Sequence, residues 1–64
     1  MKMNGVLIPL ERPVLLSELL EQQGYEQMRI AVEKNGEIIP KSAYLDTLVQ
    51  DEDVLEIVSF VGGG

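Results

Sequence analysis

Hydrophobic spacing along the chain switches between two periods, and the switches mark out its elements. "MKM" and "VLIPL" flank Asn4-Gly5, a dipeptide suited to the positive φ angles of a tight hairpin turn, so the first ten residues predict two strands. In "LLSELLEQQG" the spacing becomes helical. Leu16, Leu19 and Leu20 fall on one face, Glu18, Glu21 and Gln22 look outward, and Gly24 stands where a left-handed C-cap would close the helix. The start of this helix is poorly marked. Leu15 occupies the place where Ser, Thr or Asp would accept free N–H groups, and the first turn is expected to fray.

Period two returns in "MRIAVEKNGEII", which places Met28, Ile30 and Val32 on one side and Arg29, Ala31 and Glu33 on the other before a second Asn-Gly at 35 and 36. A strand, a turn and a short strand are predicted. Pro40 interrupts pairing, and "KSAYLDTLVQ" reads as an irregular connection that turns Tyr44, Leu45 and Leu48 inward. The acidic turn "QDED" then reverses the chain into "VLEIVSFV", the best-defined strand of the sequence.

The resulting order is ββαβ(β)β. One helix can cover only one face of a sheet, so the leucine face packs there, the other face stays open, and the crossover through the helix is expected to be right-handed. These constraints describe an α+β fold of the ubiquitin-like β-grasp type, four or five mixed strands around one helix, spanning residues 1–61 and leaving 62–64 as a flexible glycine tail. In the last strand Leu55 and Ile57 take the helix side and Glu56, Val58 and Phe60 the other. Val58 and Phe60, continued by Val61, would then form an exposed apolar patch beside the glycines, unless a loop covers them or the register shifts by one.

Composition narrows the chemistry. The 64 residues make one domain at most, and a domain of this size buries only about 60% of the surface its unfolded chain exposes, which leaves little room for an internal active site. Cysteine and histidine are both absent, which removes disulfides, thiolate nucleophiles and the usual transition-metal ligands, so no metal site is expected. No secretory leader is visible and no run approaches the roughly 20 apolar residues of a membrane span, so a cytoplasmic chain with no membrane partner is expected. Eleven acidic against five basic residues give a net charge of −6, with Lys2, Arg12, Arg29, Lys34 and Lys41 scattered. That argues against nucleic acid and leaves two readings of the acidity, solubility or steering toward a basic protein surface.

Side-chain catalysis is poorly supported. A nucleophile-base pair would have to come from Ser, Lys, Tyr and carboxylates, and their spacing matches no familiar site. Asp51, Glu52 and Asp53 lack the further oxygen ligands and glycine of a calcium loop and are read as a turn. No Gly-rich phosphate loop follows a strand. The chemically distinctive group left is the carboxylate of Gly64. An α-carboxylate, with a pKa of about 3.3–3.7, is an anion at neutral pH that resists nucleophilic attack until it is activated. Adenylation by ATP would activate it, and glycines without Cβ atoms can lie extended in a channel too narrow for side chains. The alternative is a frayed terminus with no role.

"NG" closing the first hairpin, "LLSELL", "IAVEKNGEIIPKSAY" and above all "DEDVLEIVSFVGGG" resemble the ThiS family, the sulfur carrier proteins of bacterial thiamine biosynthesis, across essentially the whole chain. The resemblance implies a carrier, not an enzyme, whose Gly64 carboxylate is adenylated by a ThiF-type adenylyltransferase, converted to a thiocarboxylate and presented to a ThiG-type thiazole synthase. It implies no cofactor bound by the chain itself, with ATP and a sulfur donor used by the activating system. Gly63 and Gly64 match the family's diglycine. Val58, Phe60, Val61, Gly62 and Gly63 fall where family members contact their partners. Leu15, in place of a polar residue before the helix, and Tyr44, where Trp is frequent, depart from the pattern. A molybdopterin synthase small-subunit type of carrier and a ubiquitin-like interaction module with an inert tail are the competing readings.

Overall fold

A computed structural model describes residues 1–60. The elements, in chain order, are β1 (Lys2–Met3), β2 (Val6–Leu7), β3 (Val14–Leu15), α1 (Leu16–Gln22), β4 (Ile30–Lys34), β5 (Glu37–Ile39), β6 (Leu48–Val49) and β7 (Val54–Ser59), with 3-10 turns at Gln27–Arg29 and Lys41–Ala43. Among the described residues five strands form a mixed sheet in the order β2-β1-β7-β4-β5, and β3 pairs with β6 in a separate two-stranded ladder. Only the β1–β7 pair is parallel in the larger sheet. This is the β-grasp expected from the element order.

Both Asn-Gly dipeptides turn hairpins. Asn4 and Gly5 have φ of 52° and 82°, Asn35 and Gly36 of 53° and 85°, the two consecutive positive values that match the right-handed twist of the flanking strands. The core then assembles from one face of each layer. Leu16, Leu19 and Leu20 of α1 pack with Met1, Met3, Ile30, Val32, Leu55 and Ile57 of the sheet side, and Tyr44 and Val49 close it from the connection before β7. Gly24, φ 82°, ends the helix as expected. Its N–H donates to the Glu21 carbonyl and the next N–H, of Tyr25, donates back to the Leu20 carbonyl, the paired closure that only a left-handed residue permits.

Four expectations need correction. The first helical turn does not fray for want of a cap at Leu15. The Leu16 N–H donates to the Thr47 carbonyl at 2.8 Å and the Ser17 N–H to the Tyr44 carbonyl at 3.1 Å, so the segment after β5 supplies the acceptors a side chain would have offered. The 41–50 connection is less irregular than expected, because β6 within it pairs with β3. Of its apolar residues Tyr44 goes inward, but Leu45 and Leu48 are 71% and 50% exposed, and Val49 takes the buried place instead. Met28 is 80% exposed in a 3-10 turn, not the first inward residue of β4.

Candidate functional site: the end of the central strand

β7 lies between β1 and β4 at the middle of the sheet. Leu55 and Ile57 sit under the helix, while Val54, Glu56 and Val58 face the open side, the alternation read from the sequence. Val58 is 58% exposed with Ala31 opposite it on β4. Glu56 stands opposite Glu33, two carboxylates across one ladder position, an arrangement that disfavours the sheet locally.

Each edge of β7 is completed differently. On the β4 side the ladder runs from the Asn35 N–H on the Val54 carbonyl to the Phe60 N–H on the Arg29 carbonyl, both at 2.8 Å. The sheet therefore holds the backbone as far as Phe60. On the β1 side the strand stops at Met3, the Asn4 N–H reaches the Leu55 carbonyl, and the Asn4 side chain then stands in for the missing residue. Its Oδ1 accepts from the Ile57 N–H at 2.8 Å and its Nδ2 donates to the Ile57 carbonyl at 3.2 Å. Asn35 acts similarly at the other end of β7, accepting from the Val54 N–H and donating to Asp53.

The acidic turn before β7 is structural. The Asp51 carboxylate accepts from the Leu10 N–H at 2.9 Å and from the Met1 ammonium at 3.1 Å. Those two contacts, the backbone hydrogen bond foremost, hold it below the usual carboxylate range. Burial pushes Asp53 upward, but hydrogen bonds from the Gln50 N–H and the Asn35 amide, together with the Lys34 charge, outweigh it and leave the group lowered. Among the described residues no group of three or more Asp and Glu side chains could hold a metal ion, and no helix is long and apolar enough to cross a membrane.

Val58 and Phe60, the latter 56% exposed, are thus present at one end of β7. They do not form a simple continuous stripe, because the Phe60 ring lies against Lys41. Val61, Gly62, Gly63 and Gly64 lie outside the described residues. The residues that sequence reasoning missed are Asn4, Asn35 and Lys41. For the asparagines the signal was the Asn-Gly dipeptide itself, read for its backbone and not for its side chain.

A five-stranded mixed sheet over one helix, with β7 at its centre, defines a ubiquitin-like β-grasp domain. The model of the ThiS family matches residues 1–64, and the chain belongs to that family of sulfur carriers of thiamine biosynthesis. The crystal structure of the thiamine biosynthesis protein ThiS from Geobacter metallireducens superposes with a TM-score of 0.81 at 30% identity, covering 98% of this chain and 96% of that one. The sulfur carrier protein ThiS of Bacillus subtilis is 45% identical over 49 residues, 77% of this chain and 74% of that protein. A thiazole synthase of Paramagnetospirillum magneticum is 43% identical over 61 residues, 95% of this chain, and the chain spans 19% of that protein's length.

Proposed function

We propose that the chain carries sulfur on the carboxyl group of Gly64. A carboxylate oxygen attacks the α-phosphorus of ATP on a ThiF-type adenylyltransferase, pyrophosphate leaves, and the carboxylate becomes an acyl-adenylate. A sulfide-equivalent nucleophile from the sulfur donor then adds at the acyl carbon, AMP departs, and one carboxylate oxygen has been exchanged for sulfur. Apart from the Gly64 carboxylate oxygen that attacks ATP, the chain supplies no acid, base or nucleophile to these steps. It acts as a protein co-substrate, and its part is to be gripped and to present its end.

The observation that carries this reading is the match of the ThiS family over residues 1–64, which includes the glycines that the central strand leads into. Exposure of Val58 and Phe60 beside that exit supports a partner contact there, since apolar side chains next to a reactive end give an enzyme something to hold other than the end. The similarity to a segment of a thiazole synthase supports a synthase of the ThiG type as the acceptor, because a domain joined to such an enzyme in one polypeptide is a natural candidate to dock on it from another.

The test is intact-mass measurement after incubation with ATP, a ThiF-type enzyme and a sulfur source. The expected result is the mass increment of oxygen-to-sulfur exchange, localised to Gly64 by fragmentation. No increment under conditions that convert a known carrier would overturn the proposal.

A further inference from the structure

Lys41 lies where the β4–β5 ladder would have continued. Val32 pairs with Ile39 and Lys34 with Glu37, so the same register carried on would set Lys41 opposite Ile30. The chain leaves the ladder first, turning after Pro40 into the 3-10 segment Lys41–Ala43, where the Ala43 N–H donates to the Pro40 carbonyl. Ile30 nevertheless directs its carbonyl to that side, because the neighbouring positions Arg29 and Ala31 are the ones that bond to β7. The Lys41 ammonium fills the gap and donates to the Ile30 carbonyl.

In that position Nζ lies over two aromatic rings, 5.8 Å from the centroid of Tyr44 and 5.7 Å from that of Phe60. Both separations are within the range at which a cation is attracted to a ring face. The rings differ in standing. Tyr44 is 1% exposed and fixed in the core, whereas Phe60 is 56% exposed and is the last residue before the segment 61–64. A charge anchored to a core ring and a strand carbonyl thus holds the surface ring of the residue that precedes Val61 and the three glycines in sequence.

Resting on the sulfur-carrier reading above, we propose that Lys41 is a positioning residue for loading the C-terminus. It clasps the Phe60 ring, keeps the Phe60 N–H on the Arg29 carbonyl, and so fixes the root from which the reactive end departs. A fixed root reduces the conformational freedom that an activating enzyme must remove on binding, and that advantage appears in KM more than in kcat.

The experiment compares wild type with Lys41→Met, Lys41→Arg, Phe60→Leu and the Lys41→Met/Phe60→Leu pair in thiocarboxylate formation by a ThiF-type enzyme. Lys41→Met keeps the stem and loses the charge. It should raise KM for the carrier roughly two- to fivefold, the range of an exposed cation–π contact, with kcat nearly unchanged, and Lys41→Arg should restore most of the loss. The double variant should be no worse than the poorer single one, since each removes the same contact. Amide hydrogen exchange should quicken at Phe60 in Lys41→Met while Leu55 and Ile57 stay protected, a local change that general destabilisation would not give. Unchanged KM, additive losses in the double variant, or unchanged exchange at Phe60 would each overturn the positioning role while leaving the carrier function standing. A wild-type chain that takes up no sulfur would overturn both.

Discussion

Asn4 holds a left-handed backbone at φ 52° and also places its amide against Ile57, donor to carbonyl and acceptor to N–H. No other side chain meets both demands as well: Gly fits the backbone alone, and Asp fits the backbone but offers no donor. Asn4→Asp should therefore cost about 1–3 kcal/mol, because an anion would then face the Ile57 carbonyl. Urea midpoints at neutral pH read this directly, and a loss no greater than that of a surface substitution would show that the amide bridge is idle. Val58 makes the opposite case. At 58% exposure on the open face, Val58→Lys should change stability by less than about 0.5 kcal/mol while weakening association with the proposed ThiF-type adenylyltransferase, which titration calorimetry would measure. A fall in stability with unchanged affinity would remove Val58 from the partner surface. Of these two residues the sequence made one legible. The alternation around Glu56 exposes Val58, whereas the bridging by Asn4 depends on where β1 stops beside β7, a fact about two strands some fifty positions apart. Lys41 was hidden for the same reason, since its place beside Phe60 follows from the β4–β5 register and Pro40.

At the scale of elements, local signals succeeded where a single element carries its own stop. Gly24 announced the helix end, and the structure closes it with the Glu21 and Leu20 carbonyls. A Cβ at Gly24 would meet nothing within 4 Å, so Gly24→Ala tests the backbone alone. It should cost about 1–2 kcal/mol, the penalty of a left-handed alanine, read as a lower denaturation midpoint with an unaltered sheet; a neutral substitution would mean that the φ of 82° is not needed. Local signals failed where neighbours decide. Leu15 looked like a missing cap, yet the carbonyls of Tyr44 and Thr47 serve the first turn. Leu45 and Leu48 looked like core residues, but β6 is short, and pairing with β3 turns Val49 inward and Leu48 out. Met28 continued the period of β4 on paper, although the 3-10 turn at Gln27–Arg29 had already reset the direction of its side chain.

Across the whole molecule, two carboxylates reinforce joints between segments distant in sequence. Asp51 links the Met1 ammonium and the Leu10 N–H to the turn before β7, and Asp53 links Gln50 and Asn35 within reach of Lys34. Both have folded-state pKa values lowered below those of the unfolded chain. Their contribution to stability is therefore fully present above the unfolded carboxylate value, about 3.9, and disappears as pH falls through the lower folded values. A second effect has the other sign. The chain carries a net charge of −6 at neutral pH, so acidification that lowers this net charge eases the self-repulsion that opposes the compact state, and Glu33 facing Glu56 across the ladder adds to that repulsion at neutral pH. The two together predict a urea midpoint that holds or rises between pH 7 and about pH 5 and falls steeply below about pH 4. Asp53→Asn separates them. It should lower the midpoint at pH 7, since an amide facing the Asn35 amide cannot satisfy both neighbours, and it should flatten the acid limb because one of the two linked protons is gone. Glu56→Gln should raise the neutral-pH midpoint and leave the acid limb in place. An acid limb equally steep in Asp53→Asn would transfer the linkage to Asp51, and would make the closure of β1 onto the turn, not the Asn35 contact, the acid-sensitive joint of the fold.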